Sequence, residues 1–190
     1  MADGYIERFD PHRDAKGRVV ESEVDYARRM RATVLSEWPI EVLIEWFHRH
    51  AGYIGRYAFL RYETFKFERR RFALTEVPGR EAFRDERFCD DFADVEARIR
   101  ANRTDGLAQY MLREGTWNTP IVLLCTAADP VQCPPGEVLK RPWHLLEGHR
   151  RLSFLVGLRE QGRAASVHEV WCVHREGEAV GTDPGSDRHG

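Results

Sequence analysis

The sequence predicts an α+β fold, helical in its first half and built of short strands and helices in its second. Two observations carry this expectation. Trp38, Val42, Leu43, Trp46 and Phe47 recur at helical spacing, as do Phe92, Val95 and Ile99. After Gly106, by contrast, apolar runs shorten to strand length: Pro120 to Cys125, Leu145-Leu146, and the alternating Val167 to Val173. The 190 residues suffice for one compact domain, or a core with a helical extension.

Taken in order, residues 1–20 are rich in Asp, Arg, Gly and His and read as a flexible arm. Residues 21–105 read as a helical region. Ser36 is a candidate N-cap, with Pro39 in the first turn, where a missing N–H costs little. A second helix is expected from about Tyr53 to Phe72, carrying Tyr57, Phe59, Tyr62, Phe65 and Phe67. Pro78-Gly79 breaks the chain, and one amphipathic helix is expected over about Asp90 to Asn102. Residues 106–174 read as a compact α+β unit. It opens with a short helix, Leu107 to Glu114, stopped by Gly115. The segment Thr126 to Gly136, with Asp129-Pro130 and Pro134-Pro135, reads as loop, and a helix is expected from His149 to Glu160. Residues 175–190, rich in Gly, Asp and Glu, read as a disordered tail.

Composition narrows the function classes. Net charge is −2, from 29 Lys and Arg against 31 Asp and Glu, so no global basic field drives nucleic-acid binding. A nucleic-acid or partner contact would need a local patch, and Lys66, Arg69, Arg70 and Arg71 form one candidate. No apolar stretch approaches the roughly 20 residues of a membrane span. Met1 to Arg18 shows no secretory signal, and Cys89, Cys125, Cys133 and Cys172 lie far apart. A cytoplasmic protein with four reduced thiols is therefore expected.

The most informative run is Trp143-His144-Leu145-Leu146-Glu147-Gly148-His149-Arg150-Arg151-Leu152. It reads as a strand, a tight turn at Gly148 and the first turn of a helix. Such a junction presents backbone N–H groups and a positive helix end to an anion, typically phosphate. Arginines in a first turn oppose the helix dipole, by a few tenths of a kcal/mol, unless an anion compensates. Neighbouring positions diverge by about 100°, so one arginine is expected to face the ligand and the other to pair with a carboxylate. Gly148 either admits close backbone approach or makes an ordinary turn. Glu147 either holds Mg²⁺ or acts as a base, or simply stabilises the helix start. His149 either contacts phosphate and moves a proton, or is a hydrogen-bonded structural histidine. The spacing His144, Glu147, His149 superficially suggests a zinc hydrolase, but a strand and Gly148 break the continuous helix such a site needs. The aromatic-rich stretch 53–72 reads as core or as a protein-partner or homodimer interface rather than a nucleic-acid platform.

Three segments, in this order, resemble the ParB/sulfiredoxin superfamily. Leu107 to Cys125 is similar to its helix, glycine and x-P-I-x-V strand; His144 to Leu158 to its phosphate-binding box; Ser166 to Val173 to its closing strand. The resemblance covers roughly the last 80 residues and leaves 1–105 unassigned. It implies a small mixed sheet, with Arg151 as a phosphate contact. The chromosome-partitioning branch carries G-E-R-R, binds cytidine triphosphate and loads onto DNA. Here Gly148, His149, Arg150 and Arg151 keep both arginines and replace the acid. Only 15 residues follow Arg175, so that branch's helix-turn-helix domain is not expected here. Sulfiredoxin's nucleophilic cysteine is replaced by His149, which removes that chemistry. The free-serine kinases' D-G-x-H-R keeps its acid, glycine and final arginine as Glu147, Gly148 and Arg151, with Arg150 in place of the histidine. The D/E-G-H-H/R-R boxes of ParB-like nucleases are closer.

The expected function is ParB-like nucleotide or phosphate binding, with nucleoside triphosphate hydrolysis or nuclease chemistry at this box. Gly148, His149, Arg150, Arg151 and Thr119 would bind phosphate, with Asn118 a weaker candidate. Glu147 and His149 would be catalytic. ATP or CTP, with Mg²⁺ on Glu147, is the expected ligand, and DNA a possible partner. One alternative is a non-catalytic regulatory or defence-system module binding DNA or protein, and another is a small-molecule kinase.

Overall fold

A computed structural model describes residues 4–127 and 133–175. The expected tail beyond Arg175 and the Asp129-Pro130 turn lie outside the described residues. The fold is α+β, and the described residues form one four-stranded mixed sheet with helices on both faces.

Ser22 starts the first helix, α1 (Glu23–Thr33), by accepting the Asp25 amide at 3.1 Å. The second, α2 (residues 40–48), begins as Ile40–Val42 and continues through a wider turn, Leu43–His48, in which the Arg49 amide reaches the Ile44 carbonyl. Pro39, not Ser36, occupies its N-cap. Short 3₁₀ turns follow over Ala51–Leu60.

The expected helix 53–72 is corrected. Arg61 adopts a left-handed φ of 61°, which interrupts the helical turns; one more 3₁₀ turn, Tyr62–Thr64, follows, and Phe65–Ala73 is a strand, β1. Its sequence, Phe-Lys-Phe-Glu-Arg-Arg-Arg-Phe, lets side chains alternate between the two faces of a sheet. Phe65 and Phe67 pack into one core and Phe72 into the other. The single helix expected at 90–102 is also corrected, to α3 (Arg87–Ala93) and α4 (Val95–Ala101). Asp94 divides them by accepting the Ala97 amide at 2.7 Å, an alternative to continuing the helix.

The C-terminal elements follow the sequence closely. Asp105 caps α5 (Gly106–Glu114), and Gly115 ends it. Strands β2 (Ile121–Cys125) and β3 (Trp143–Glu147) pair antiparallel; α6 (His149–Glu160) leads to β4 (Val167–Arg175), which lies parallel to β2. β1 pairs antiparallel with β4 from Phe65 opposite Arg175 to Ala73 opposite Val167, giving the order β1-β4-β2-β3. The sheet therefore reaches across the expected boundary at 105/106.

Both sheet faces are covered, which is why β2 reads as an unbroken apolar run. Val122, Leu124, Leu146 and Val173 face the aromatic N-terminal layer, whereas Ile121, Leu123, Leu145 and Cys172 face α5 and α6. Tyr57, Tyr62 and Phe65 are buried in this chain's own core and are not free to form a partner interface. Part of the arm expected at 1–20 belongs to that core too. Phe9 is buried, its carbonyl accepts from the Tyr26 hydroxyl, and Tyr5 donates to Glu63 at 2.6 Å. Among the described residues no helix is long and apolar enough to cross a membrane.

Candidate functional site

Strand β3 ends at Glu147 and the chain turns through Gly148, with φ 96° and ψ 26°. A Cβ there would lie 2.5 Å from Ile121 Cγ2, so the turn demands glycine on two counts, its positive φ and the adjacent strand. The Leu152 amide makes the first intrahelical bond, to the Gly148 carbonyl at 2.9 Å, and no side chain caps α6. First-turn N–H groups point out of a helix's N-terminal end. This end opens on a cleft of about 670 Å³ between α6 and the 45–57 segment.

The structure brings Glu147, Gly148, His149, Arg150, Arg151, Thr119 and Asn118 together in the lining of this cleft. Their engagements differ from expectation. Arg151 is buried and donates to Glu147, with Glu45 Oε2 3.9 Å away. Arg150 donates to Asp105 and packs over the Phe92 and Phe154 rings at 5.8 and 5.5 Å. Both arginines thus have carboxylate partners. Arg151, expected to face a phosphate, pairs here with Glu147, and Arg150 with Asp105, so these carboxylates offset the first-turn positive charge.

Burial would push the Glu147 carboxyl up, but the Arg151 guanidinium and His50 outweigh it and hold it below the ordinary range. Its Oε2 accepts from Arg151 and its Oε1 lies 3.6 Å from His50 Nδ1. A lone carboxylate so engaged does not fit a Mg²⁺ site. Among the described residues no group of three or more His, Cys, Asp or Glu side chains could hold a metal ion.

His149 packs edge-on against Phe83 and Phe88, at 5.9 and 5.5 Å. Burial first, then Arg56, His50 and Arg151, push its imidazole down to about 4 against the opposing pull of Glu147. His144 is structural, as its Nδ1 accepts the Lys140 amide and its Nε2 meets the Tyr57 hydroxyl.

Several cleft residues were outside the expected set, and two of them bear on its chemistry. His50 has a half-exposed side chain at the cleft, and Arg56 lies 5.7 Å over the Tyr53 ring. Arg56 forms no ion pair with a carboxylate among the described residues, unlike the other cleft arginines, Arg49, Arg150 and Arg151. Neither belongs to a local motif; the fold of the N-terminal layer places them. The second candidate set, Lys66, Arg69, Arg70 and Arg71, lies on β1 rather than on a helix. Alternation splits it between faces, Lys66 and Arg70 against Arg69 and Arg71, and Arg69 pairs with Glu169. It is not one basic patch.

The chain matches no family model, no curated protein and no solved structure. Its fold and site define an α+β protein with a polar cleft at a glycine turn between strand and helix.

Proposed function

We propose that the cleft binds the phosphates of a nucleotide, and that the protein is a ParB-like phosphate-binding protein performing nucleoside triphosphate hydrolysis or phosphodiester cleavage. The observation that carries this reading is the start of α6, which no side chain caps, opening on a cleft whose Arg56 pairs with no carboxylate among the described residues. The first-turn amides would bind phosphate oxygens, Thr119 would add a hydroxyl and Arg56 the charge. Tyr53, exposed beside Arg56, offers a face for a base. The resemblance of the Glu147 to Arg151 box to the ParB/sulfiredoxin superfamily supports the same reading. ATP and CTP are the leading ligands. Mg²⁺ would come on their phosphates rather than as a resident ion on Glu147.

Thermal unfolding of the purified chain with ATP, CTP or GTP, with and without Mg²⁺, tests this. Ligand at about 100 times its dissociation constant adds about 2.7 kcal/mol, a rise of several degrees. One nucleotide is expected to produce that rise in the wild type and not in Arg56→Gln. No rise with any nucleotide, or an equal rise in the variant, contradicts the reading.

A further inference from the structure

We propose that His50 is the proton-transferring group of this cleft and Glu147 the carboxylate that positions it; this rests on the phosphate-binding reading above. Three histidines lie near the turn, and geometry separates them. His144 is fully buried with both ring nitrogens engaged. His149 is held between the Phe83 and Phe88 rings. His50 lies just beyond the last turn of α2, half exposed at the cleft, with Nδ1 3.6 Å from Glu147 Oε1.

The arrangement behind His50 is built to hold it. Glu147 is buried, Arg151 donates to its other oxygen, and Arg151 in turn lies 3.9 Å from Glu45. With Oε2 taken by Arg151 and Oε1 facing His50 Nδ1 at 3.6 Å, Glu147 is poorly placed to take a proton from a ligand, and a closure of about half an ångström lets it accept the Nδ1–H of His50. Accepting that proton fixes the tautomer and leaves the lone pair on Nε2 for the cleft. A base oriented by a carboxylate it does not itself protonate is a recurring device for activating hydroxyls and water. In the step, the Nε2 lone pair takes a proton from a water or hydroxyl as its oxygen attacks phosphorus. The bond from phosphorus to the leaving oxygen breaks, and the imidazolium, opposite Glu147, returns the proton to that oxygen. Glu147 is a positioning residue in this scheme, and His149 is wall.

Two measurements on the full chain test the assignment. Long-range proton–nitrogen NMR at pH 8, without ligand, reads the tautomer of each ring. His50 is expected as the Nδ1–H form in the wild type, and as mainly the Nε2–H form in the double variant Glu147→Leu/Arg151→Leu, which removes both members of the buried pair. The Nε2–H form in the wild type, or an unchanged tautomer in the double variant, overturns the positioning role. Phosphate release is then followed with ATP and CTP. His50→Gln is expected to lose about 100-fold or more in turnover while keeping the nucleotide-dependent rise in melting temperature. Unchanged turnover, loss of the melting rise along with turnover, or no turnover in the wild type overturns the proton-transfer role. Absence of any melting rise in the wild type would instead strike the phosphate-binding reading, and the tautomer result remains separately readable.

Discussion

Arg151 donates to Glu147 across the Gly148 turn, and the two side chains are buried together at 7% and 8% exposure. The arginine the motif offers to a ligand is thereby built into the cleft wall. Its partner carboxylate is held charged, with Oε1 3.6 Å from His50 Nδ1. Breaking such a pair on one side leaves an uncompensated buried charge, which costs about 3–5 kcal/mol. Arg151→Met is expected to lose about 3 kcal/mol in urea unfolding. Glu147→Leu/Arg151→Leu, which removes both charges, is expected to lose less than Arg151→Met. Equal losses would show that the pair is not coupled.

Gly148→Ala tests the turn. The new methyl group would combine a positive φ with a 2.5 Å approach to Ile121 Cγ2. The expected loss is about 2 kcal/mol or more, from left-handed strain and overpacking together. A loss below about 0.5 kcal/mol would mean that the turn relaxes freely.

Gly157→Ala runs against helix propensity. Alanine is favoured over glycine inside a helix by about 1 kcal/mol. Here, however, a Cβ would lie 1.9 Å from the Ala93 carbonyl oxygen, where α3 ends against α6. Backbone must move to admit it, so net destabilisation of about 2 kcal/mol is expected in urea unfolding. A stabilised variant would contradict this packing.

Stability should fall as pH drops from 6.5 towards 4. Burial, with lesser contributions from His149, Arg84 and Lys140, lowers the His144 imidazole from 6.5 to about 4. Between those values the unfolded chain binds the proton and the folded chain does not, so acid favours unfolding. At pH 5 this one group costs about 2 kcal/mol, at about 1.4 kcal/mol per pKa unit. His149, also lowered to about 4, acts in the same direction. Urea unfolding at pH 7 and pH 5 is expected to show a smaller difference between the two pH values in His144→Gln than in the wild type. An equal difference would contradict the assignment.

Phe9→Ala tests the N-terminal segment. Phe9 is 1% exposed and meets Tyr5, Phe47 and Tyr62. A loss of about 3 kcal/mol or more in urea unfolding is expected from the cavity. A loss within about 0.5 kcal/mol would restore the reading of 1–20 as a loose arm.

The parts of the fold legible in the sequence are those with local signals. The His149–Glu160 helix is observed over its expected residues, and Gly115 ends α5 with the φ of 70° that glycine favours there. Strand β1 was hidden because its aromatics continue a helical spacing begun at Tyr57. What decides the matter is β4, far along the chain, which supplies its backbone partners. The division at Asp94 depends on a side chain competing with a backbone bond, a choice that periodicity does not report. In the site, Gly148, Thr119 and Asn118 were legible as cleft residues. The engagements of Arg150 and Arg151 were not, since one partner, Asp105, lies on another element. His50 and Arg56 reach the cleft only through the tertiary fold.

The most direct measurement is backbone chemical-shift mapping of ¹⁵N-labelled protein titrated with ATP or CTP and Mg²⁺. The account predicts that the largest, saturable shifts fall on the amides of Gly148, His149, Arg150 and Arg151, with Arg56 and Thr119 moving in the same titration. Shifts concentrated on Phe65–Ala73, or none at saturating nucleotide, would contradict it.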